Sequence, residues 1–187
     1  ESQSKVQQIF GQSAGAIDSW AQGAAKSMGL SQRAALDAVG GFGNMFTQLG
    51  IGGEQARTMS QSIVGLASDF ASFHNVDISE VIAAQSAAFR GEYDSLQRFL
   101  PLINAATVEQ KAMAMTGKDN AKELTAQEKA LAVAGAETCV AKSGWTVADG
   151  ADWVLWLYAA IRSLPIVGEA IALALRSAHV HMGGSGR

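Results

Sequence analysis

A chain of 187 residues is long enough to bury one sizeable hydrophobic core or two small ones. Hydrophobic residues make up 48% of it, aromatic residues only 7%, and there are two prolines, a balance that favours closely packed helices over a β-sandwich. The formal net charge of −3 provides no cluster of positive charge for a phosphate backbone, so strong direct binding of nucleic acid is not expected. The single cysteine, Cys139, excludes an internal disulfide and fits a small buried apolar residue.

The first predicted element is a long amphipathic helix over residues 5–28. Gly29 follows directly after the apolar pattern and is expected to end this helix, and Ser31 has a side chain suited to cap the next one. The pattern places apolar residues every three or four positions, on one face of a helix of 3.6 residues per turn: Val6, Ile9, Phe10, Ile17, Trp20, Ala21, Ala24 and Met28.

The segment 41–73 is predicted to form a helical hairpin around a glycine-rich break. Gly50, Gly52 and Gly53 supply the backbone freedom for a reversal between two amphipathic runs. We expect the two helices to share an apolar seam, and a groove for a partner helix is the alternative use of the same residues. The predicted core residues of the seam are Phe42, Phe46, Leu49, Met59, Ile63, Leu66, Phe70 and Phe73.

Two capping patterns open later helices. Asp77 and Glu80 have the spacing of a capping box, in which Asp77 accepts from the first turn and Glu80 reaches back, and this predicts a helix from residue 78 to about 90. Thr125 and Glu128 repeat the spacing and predict a helix that runs to about residue 142.

The segment between these two helices is predicted to be shorter and more broken. Gly91 ends the first of them, and an amphipathic stretch around Leu96 follows until Pro101 terminates it. A short helix is then expected over residues 107–115, before a polar loop.

The composition changes from Trp145 onward. Residues 153–161 form a continuous apolar run and 164–175 are nearly as apolar, but Arg162, Pro165 and Glu169 interrupt them. The uninterrupted pieces are too short for a bilayer core of about 30 Å. We therefore expect an apolar helical pair over 144–182 and a flexible Gly/Ser tail over 183–187. The pair could pack on protein, including other copies of the chain, or meet a membrane, and its predicted contact residues are Trp153, Trp156, Leu157 and Ile161.

No catalytic, cofactor or metal site emerges from the sequence. Only three histidines occur, none adjoins a nucleophile elbow, and the glycine clusters do not follow a strand as phosphate-binding loops require. Asp69, His74, Asp77 and Glu80 are close in sequence, but most of them fall where helix ends and caps need polar groups. We therefore expect no enzymatic activity and no cofactor.

Several short motifs, named the shared motifs, follow one another along residues 1–135: Gly29-Leu30-Ser31, Phe42-Gly43, Leu49-Gly50, Met59-Ser60, Leu66-Ala67-Ser68-Asp69-Phe70-Ala71-Ser72-Phe73, Gly91-Glu92, Leu96 and Arg98-Phe99. With these motifs in this order, the region 1–135 resembles the shared region of tail tape measure proteins of long-tailed bacteriophages and their prophages. In one departure, Leu100-Pro101 follows Arg98-Phe99, whereas family members usually carry a glycine soon after that position.

The resemblance implies a structural protein, with residues 1–143 as an all-α domain of helical hairpins in a multi-helix bundle. Such a protein is made in the host cytoplasm and lies in the lumen of the tail tube of the virion, where it acts in length determination, tail assembly and genome ejection. Its implied partners are tail tube, tail tip and tail assembly chaperone proteins, and further copies of the chain. Two other classes stay open: a membrane-active helical protein that perforates the host envelope, and a soluble helical adaptor.

Overall fold

The computed structural model describes residues 2–142, which form an all-α helical bundle: about 80% of them are helical and no strand occurs among them. The predicted fold class is therefore confirmed. The helices are α1 Ser2–Phe10, α2 Ala14–Ser27, α3 Gln32–Gln48, α4 Gly53–His74, α5 Ile78–Phe89, α6 Asp94–Gln97, α7 Ala105–Thr116 and α8 Ala126–Lys142, with single 3-10 turns at Gly11–Ser13 and Ala121–Glu123.

The α3–α4 hairpin is the element on which the other helices pack. Gly50 and Gly53 have φ angles of +86° and +60°, in the left-handed region that glycine adopts without steric cost, and they make the reversal that the sequence predicts. Helices α1 and α2 pack against α3, whereas α5 and α8 pack against α4, and α7 packs mainly against α8. The hairpin thus has an N-terminal side, α1–α2, and a C-terminal side that ends in the α7–α8 pair.

The prediction of one continuous helix over residues 5–28 is wrong in one respect, because the structure has two helices there. α1 ends at Phe10, Gly11 takes a φ angle of +52°, and α2 begins at Ala14. The apolar pattern continues across the break because both helices bury a face against α3, with Phe10 and Ile17 both buried. Periodicity reports which face is buried and does not reveal a bend within it.

Two of the predicted helix starts are capped as expected. The Ser31 hydroxyl accepts a hydrogen bond from the Ala34 amide at 3.1 Å. At the start of α8, the Thr125 hydroxyl accepts from the Glu128 amide at 3.2 Å, and the Glu128 carboxylate accepts from the Thr125 amide at 2.7 Å. Both side chains of this capping box therefore satisfy amides that the helix itself leaves free.

The start of α5 is only half of the predicted capping box. Asp77 accepts from the Ser79 amide at 2.7 Å, as expected, and also from the Ser79 hydroxyl at 2.5 Å. The hydroxyl bond first, and the amide bond second, lower the pKa of Asp77. Glu80 does not reach back; its carboxylate instead accepts a hydrogen bond from Arg98 at 2.9 Å. The prediction for Glu80 fails because an arginine from a later segment offers it a charged donor, which is a stronger partner than a neutral amide.

Residues 143–187 lie outside the described residues. The predicted apolar pair over 144–182, the tail over 183–187 and the contact residues Trp153, Trp156, Leu157 and Ile161 all belong to that part of the chain.

Candidate functional site

The predicted seam of the hairpin forms much of the core. Leu49 and Met59 are half-buried at its edges. The residues with exposed fractions of 9% or less are Phe42, Phe46, Ile63, Leu66 and Phe70.

An aromatic cluster joins this seam to α5. The ring of Phe46, which is fully buried, lies 6.0 Å from that of Phe42 and 5.0 Å from that of Phe89, the latter in an edge-to-face arrangement. Such pairs stabilise a core by roughly 0.5–1.5 kcal/mol beyond the area they bury. The sequence analysis does not include Phe89, the last residue of α5, whose ring completes the cluster.

Phe73, predicted as core, is 57% exposed. The buried face of α4 runs through Phe70 and Ala71, and the residue that follows them in helical register is His74 rather than Phe73. The His74 ring lies 5.3 Å from that of Phe99, and Phe73 contacts His74 from the edge of the same face. A histidine therefore occupies the position that the sequence analysis assigns to phenylalanine.

Several residues of the shared motifs lie at positions where the fold restricts the residue type, whereas others, such as Phe73 and Arg98, are exposed. Gly50 and Gly91 have φ angles of +86° and +93°, which disfavour any side chain. Leu96 and Phe99 are buried, with exposed fractions of 0% and 3%. A Cβ atom on Gly43 would lie 2.0 Å from the ring of Phe10, so only glycine fits there without movement.

The departure at Leu100-Pro101 also has a structural explanation. The Leu100 amide donates to the Leu96 carbonyl at 2.8 Å, which extends the turn after α6, and the Leu100 side chain is only 4% exposed. A buried leucine thus contributes apolar surface where a glycine would contribute none.

A polar pair is buried where α8 meets α4 and α5. Gln85 and Glu137 are both fully buried, and the Gln85 amide donates to the Glu137 carboxyl at 2.8 Å and to the Ile63 carbonyl at 3.3 Å. Burial raises the pKa of Glu137 to about 8, against the lowering effect of the Gln85 hydrogen bond. Glu137 is therefore a neutral acid at neutral pH.

A second unusual ionisable group lies between α7 and α8. The Lys111 side chain is half-buried against Gly135, where an added Cβ would lie 3.2 Å from the lysine Cε. Burial lowers the pKa of Lys111 to about 8, and interaction with Cys139 opposes this shift. Cys139 is itself only half-buried, so the expectation that it lies in the core is wrong.

Gln85, Glu137 and Lys111 are not among the residues predicted from the sequence, although the positions of the first two in the apolar pattern could have indicated them. Glu137 continues the register of Ala130 and Val133 along α8, and Gln85 follows Val81 by four residues along α5. A polar residue within an apolar stripe predicts a buried polar group. Nothing in the sequence pairs the two, because they are 52 positions apart.

The described residues offer neither a metal site nor a membrane span. Within 2–142, no group of three His, Cys, Asp or Glu side chains is placed to hold a metal ion. Over the same residues, no helix combines the length and the apolar character needed to cross a bilayer.

Comparison with known proteins adds no relative. No protein-family model matches the chain, and neither does a curated protein or a solved structure. The function proposed below is therefore supported by the residues of this chain, their contacts and the sequence resemblance alone.

Proposed function

We propose that this chain is a helical domain of a tail tape measure protein of a long-tailed phage or prophage, with a structural role in tail assembly. The observation that carries the proposal is that several residues of the shared motifs lie at restricted positions of the fold. Gly43 lies against the Phe10 ring, Gly91 has a positive φ angle, and Leu96 is fully buried. Residues at such positions determine how the helices pack. A resemblance at them is therefore a resemblance in packing, which supports a structural role.

Within such a protein, one part of the chain acts as a ruler, that is, its extended length sets the length of the tail. We propose that this domain is a compact unit attached to the ruler and is not the ruler itself. A ruler needs extended helix, which rises about 1.5 Å per residue. The longest described helix, α4, has 22 residues, and α3 folds back on it. We propose contacts with tail tube, tail tip or assembly chaperone proteins inside the tube, and a contribution to genome ejection. With a net charge of −3, strong direct contact with DNA is not part of the proposal.

The test uses virions of the phage or prophage that encodes the chain. Peptides of residues 2–142 should be found in purified tails by mass spectrometry, and their absence from tails would overturn the proposal. An in-frame deletion of these residues should block tail assembly or leave tail length unchanged. A tail shortened by about 210 Å, the length of an equally long continuous helix, would show that the segment is ruler and not a compact body.

Self-association through the segment after residue 143 is a further part of the proposal. The run Trp153–Ile161 is wholly apolar in sequence, and apolar surface of this kind is buried by protein or lipid. Sedimentation of the full chain should show an oligomer, and Leu157→Lys should shift it towards the monomer, because a buried unpaired charge costs several kcal/mol. A monomeric full chain would contradict this part.

A membrane-active protein is the second candidate, favoured by the tryptophan and tyrosine residues of the same run, which are residue types found at bilayer interfaces. The full chain would then release dye from liposomes, and Leu157→Lys would reduce the release. Liposomes that stay intact with the full chain would exclude this candidate.

A further inference from the structure

The buried pair Gln85–Glu137 joins three helices through one amide group. Gln85 of α5 donates to the Glu137 carboxyl of α8 and to the Ile63 carbonyl of α4, at 2.8 and 3.3 Å. Two oxygens at this junction, the second carboxyl oxygen Glu137 Oε1 and the amide oxygen Gln85 Oε1, are buried without a hydrogen-bond partner among residues 2–142. A buried oxygen without a partner is costly, so this junction depends closely on the protonation state of Glu137.

The neutral acid fits this junction and the carboxylate does not. A protonated carboxyl and a primary amide can pair through two hydrogen bonds, one in each direction, and the second bond would use the two oxygens that lack partners. An ionised Glu137 would keep a single neutral donor at full burial, which is a costly environment for a charge. We propose that Glu137 and Gln85 form a proton-dependent latch, which holds the α7–α8 pair on α4 and α5 while Glu137 is protonated and releases it on ionisation.

Among the side chains that the structure describes, no charged group compensates the ionised form. None of the charged or titratable ones on the helices around α8 makes an ion pair or a hydrogen bond with Glu137, and within residues 2–142 the pKa of Glu137 is shifted by burial and by Gln85. Lys111, the half-buried cation on α7, lies against Gly135 instead. The charged and titratable side chains that are described on α8 and on the helices packed against it are Glu54, Arg57, Asp69 and His74 on α4, Glu80 and the flanking Arg90 on α5, Glu109 and Lys111 on α7, and Glu128, Lys129 and Cys139 on α8 itself.

The packing of the helices determines what the latch would release. α7 packs mainly on α8, and α8 in turn packs on α4 and α5, so the α7–α8 pair is connected to the hairpin chiefly through α8. The ion pair Lys129–Glu109, at 2.7 Å, lies within the α7–α8 pair and would move with it. Opening the latch therefore separates a helical pair from the bundle and leaves the α3–α4 hairpin with α1 and α2 in place.

The direction of the pH dependence follows from linkage. An undocked glutamate has a pKa near 4.5 and the docked Glu137 one of about 8, so the docked state binds more protons between these values. The docking equilibrium constant should fall by up to about tenfold per pH unit in the middle of this window, or about 50-fold from pH 6 to pH 8, and level off above it.

Hydrogen exchange of the full chain tests the latch, with each amide rate corrected for its intrinsic rate at that pH. Protection of α8 should fall by up to about 50-fold between pH 6 and pH 8 in the wild type and stay constant in Glu137→Gln, because glutamine copies the neutral acid. Protection of α3 should stay constant in both. The exposed Glu123→Gln, which removes the same charge, should behave like the wild type. A fall of α8 protection that is equal in Glu137→Gln, or that α3 shares, would overturn the latch.

Titration of the Glu137 carboxyl in the wild type tests the latch even if Glu137→Gln does not fold. In the chain labelled with ¹³C at the glutamate carboxyls, the Glu137 signal should titrate near its pKa of about 8, and the fall of α8 protection should level off at the same pH. A Glu137 carboxyl that titrates near the usual glutamate value of 4.5 would overturn the proposal. This test is independent of whether the chain belongs to a phage tail.

Discussion

The two sides of the α3–α4 hairpin are built on different chemistry. On the N-terminal side, no polar or charged side chain is buried in α1, α2 or α3, and the Phe10 ring lies so near Gly43 that an added Cβ would be 2.0 Å from it. On the C-terminal side, Gln85 and Glu137 are fully buried and Lys111 is half-buried. The core of the first side is therefore apolar, whereas the stability of the second depends on pH as well.

The largest effect is expected from Phe46→Ala, because Phe46 lies in the hairpin that both sides share. Its ring is fully buried against Phe42 and Phe89, and truncation of such a side chain costs about 3–5 kcal/mol. Denaturant unfolding followed by far-ultraviolet circular dichroism should show this loss. Both sides should lose protection from hydrogen exchange together.

Phe73→Ala is the matched control, since the same atoms are removed from a ring that is 57% exposed. We expect the free energy of unfolding to fall by less than about 1 kcal/mol, because folding buries little of the apolar area of this ring. Equal losses in the two variants would mean that the hairpin is not the common core of the two sides.

Much of the hairpin and of the N-terminal side can be predicted from the sequence, since apolar spacing and glycine positions specify them. The hairpin, its reversal at Gly50 and the Ser31 cap follow from local patterns of a few residues. The break at Gly11 is missed because the apolar register continues across it. Phe73 is assigned to the core because the spacing rule admits it, and the competing residue, His74, is not counted as apolar.

The candidate site on the C-terminal side cannot be predicted in this way. Gln85 and Glu137 come together only through the tertiary packing of α5 on α4 and of α8 on both. Glu80 shows the same limit, since its capping role is lost to Arg98, 18 positions away. Local pattern thus predicts helices and their buried faces, but it does not predict the partners of polar side chains.

Gly43→Ala tests the close contact on the N-terminal side. The new Cβ would lie 2.0 Å from the Phe10 ring, so the ring or α1 must move, and over-packing of this kind costs about 1–3 kcal/mol. The loss should be independent of pH, as measured by denaturant unfolding at pH 5 and pH 8. Phe10→Leu should recover part of it in the double variant, because a smaller side chain leaves room for the methyl group.

Gly41→Ala is the matched control, because no atom lies within 4 Å of an added Cβ at this position of the same helix. It should be neutral or slightly stabilising, since alanine favours a helix more than glycine does. If Gly41→Ala and Gly43→Ala were equally destabilising, the Phe10 contact would not be the cause.

Lys111→Met should stabilise the C-terminal side by about 1–2 kcal/mol at pH 7, because burial disfavours the ammonium form of Lys111. The pKa of Lys111 in the folded state, about 8, lies below the usual 10.5. The folded state therefore binds fewer protons between these values, and wild-type stability should rise with pH there.

Glu137 has the opposite effect at lower pH, since it makes stability fall between pH 4.5 and about 8. The two groups together predict a minimum of stability near pH 8.

Thermal unfolding across pH 5 to pH 10 measures this minimum. Lys111→Met should remove the rise above pH 8 and leave the fall below it, whereas the exposed Lys122→Met should change neither. A wild-type profile that is flat from pH 5 to pH 10 would contradict the assignment of the pH dependence to these buried groups.

The smallest effect is expected from the ion pairs, and it separates the two sides once more. Lys129 and Glu109 join α8 to α7 at 2.7 Å with each side chain 33% exposed, whereas Arg33 and Asp37 on α3 are 3.9 Å apart and 80% and 53% exposed. Solvent screens the second pair more strongly, and an exposed pair with poor geometry contributes almost nothing. A double-mutant cycle with Lys129→Met and Glu109→Gln should therefore give a coupling of about 0.5–1 kcal/mol that weakens in high salt, while Arg33→Met and Asp37→Asn should give less than about 0.3 kcal/mol.

The Lys129–Glu109 pair lies within the unit that the proposed latch releases. Its coupling should therefore stabilise α7 on α8 without changing the pH at which α8 leaves α4 and α5. A shift of that pH in Lys129→Met would mean that the α7–α8 pair does not move as one body.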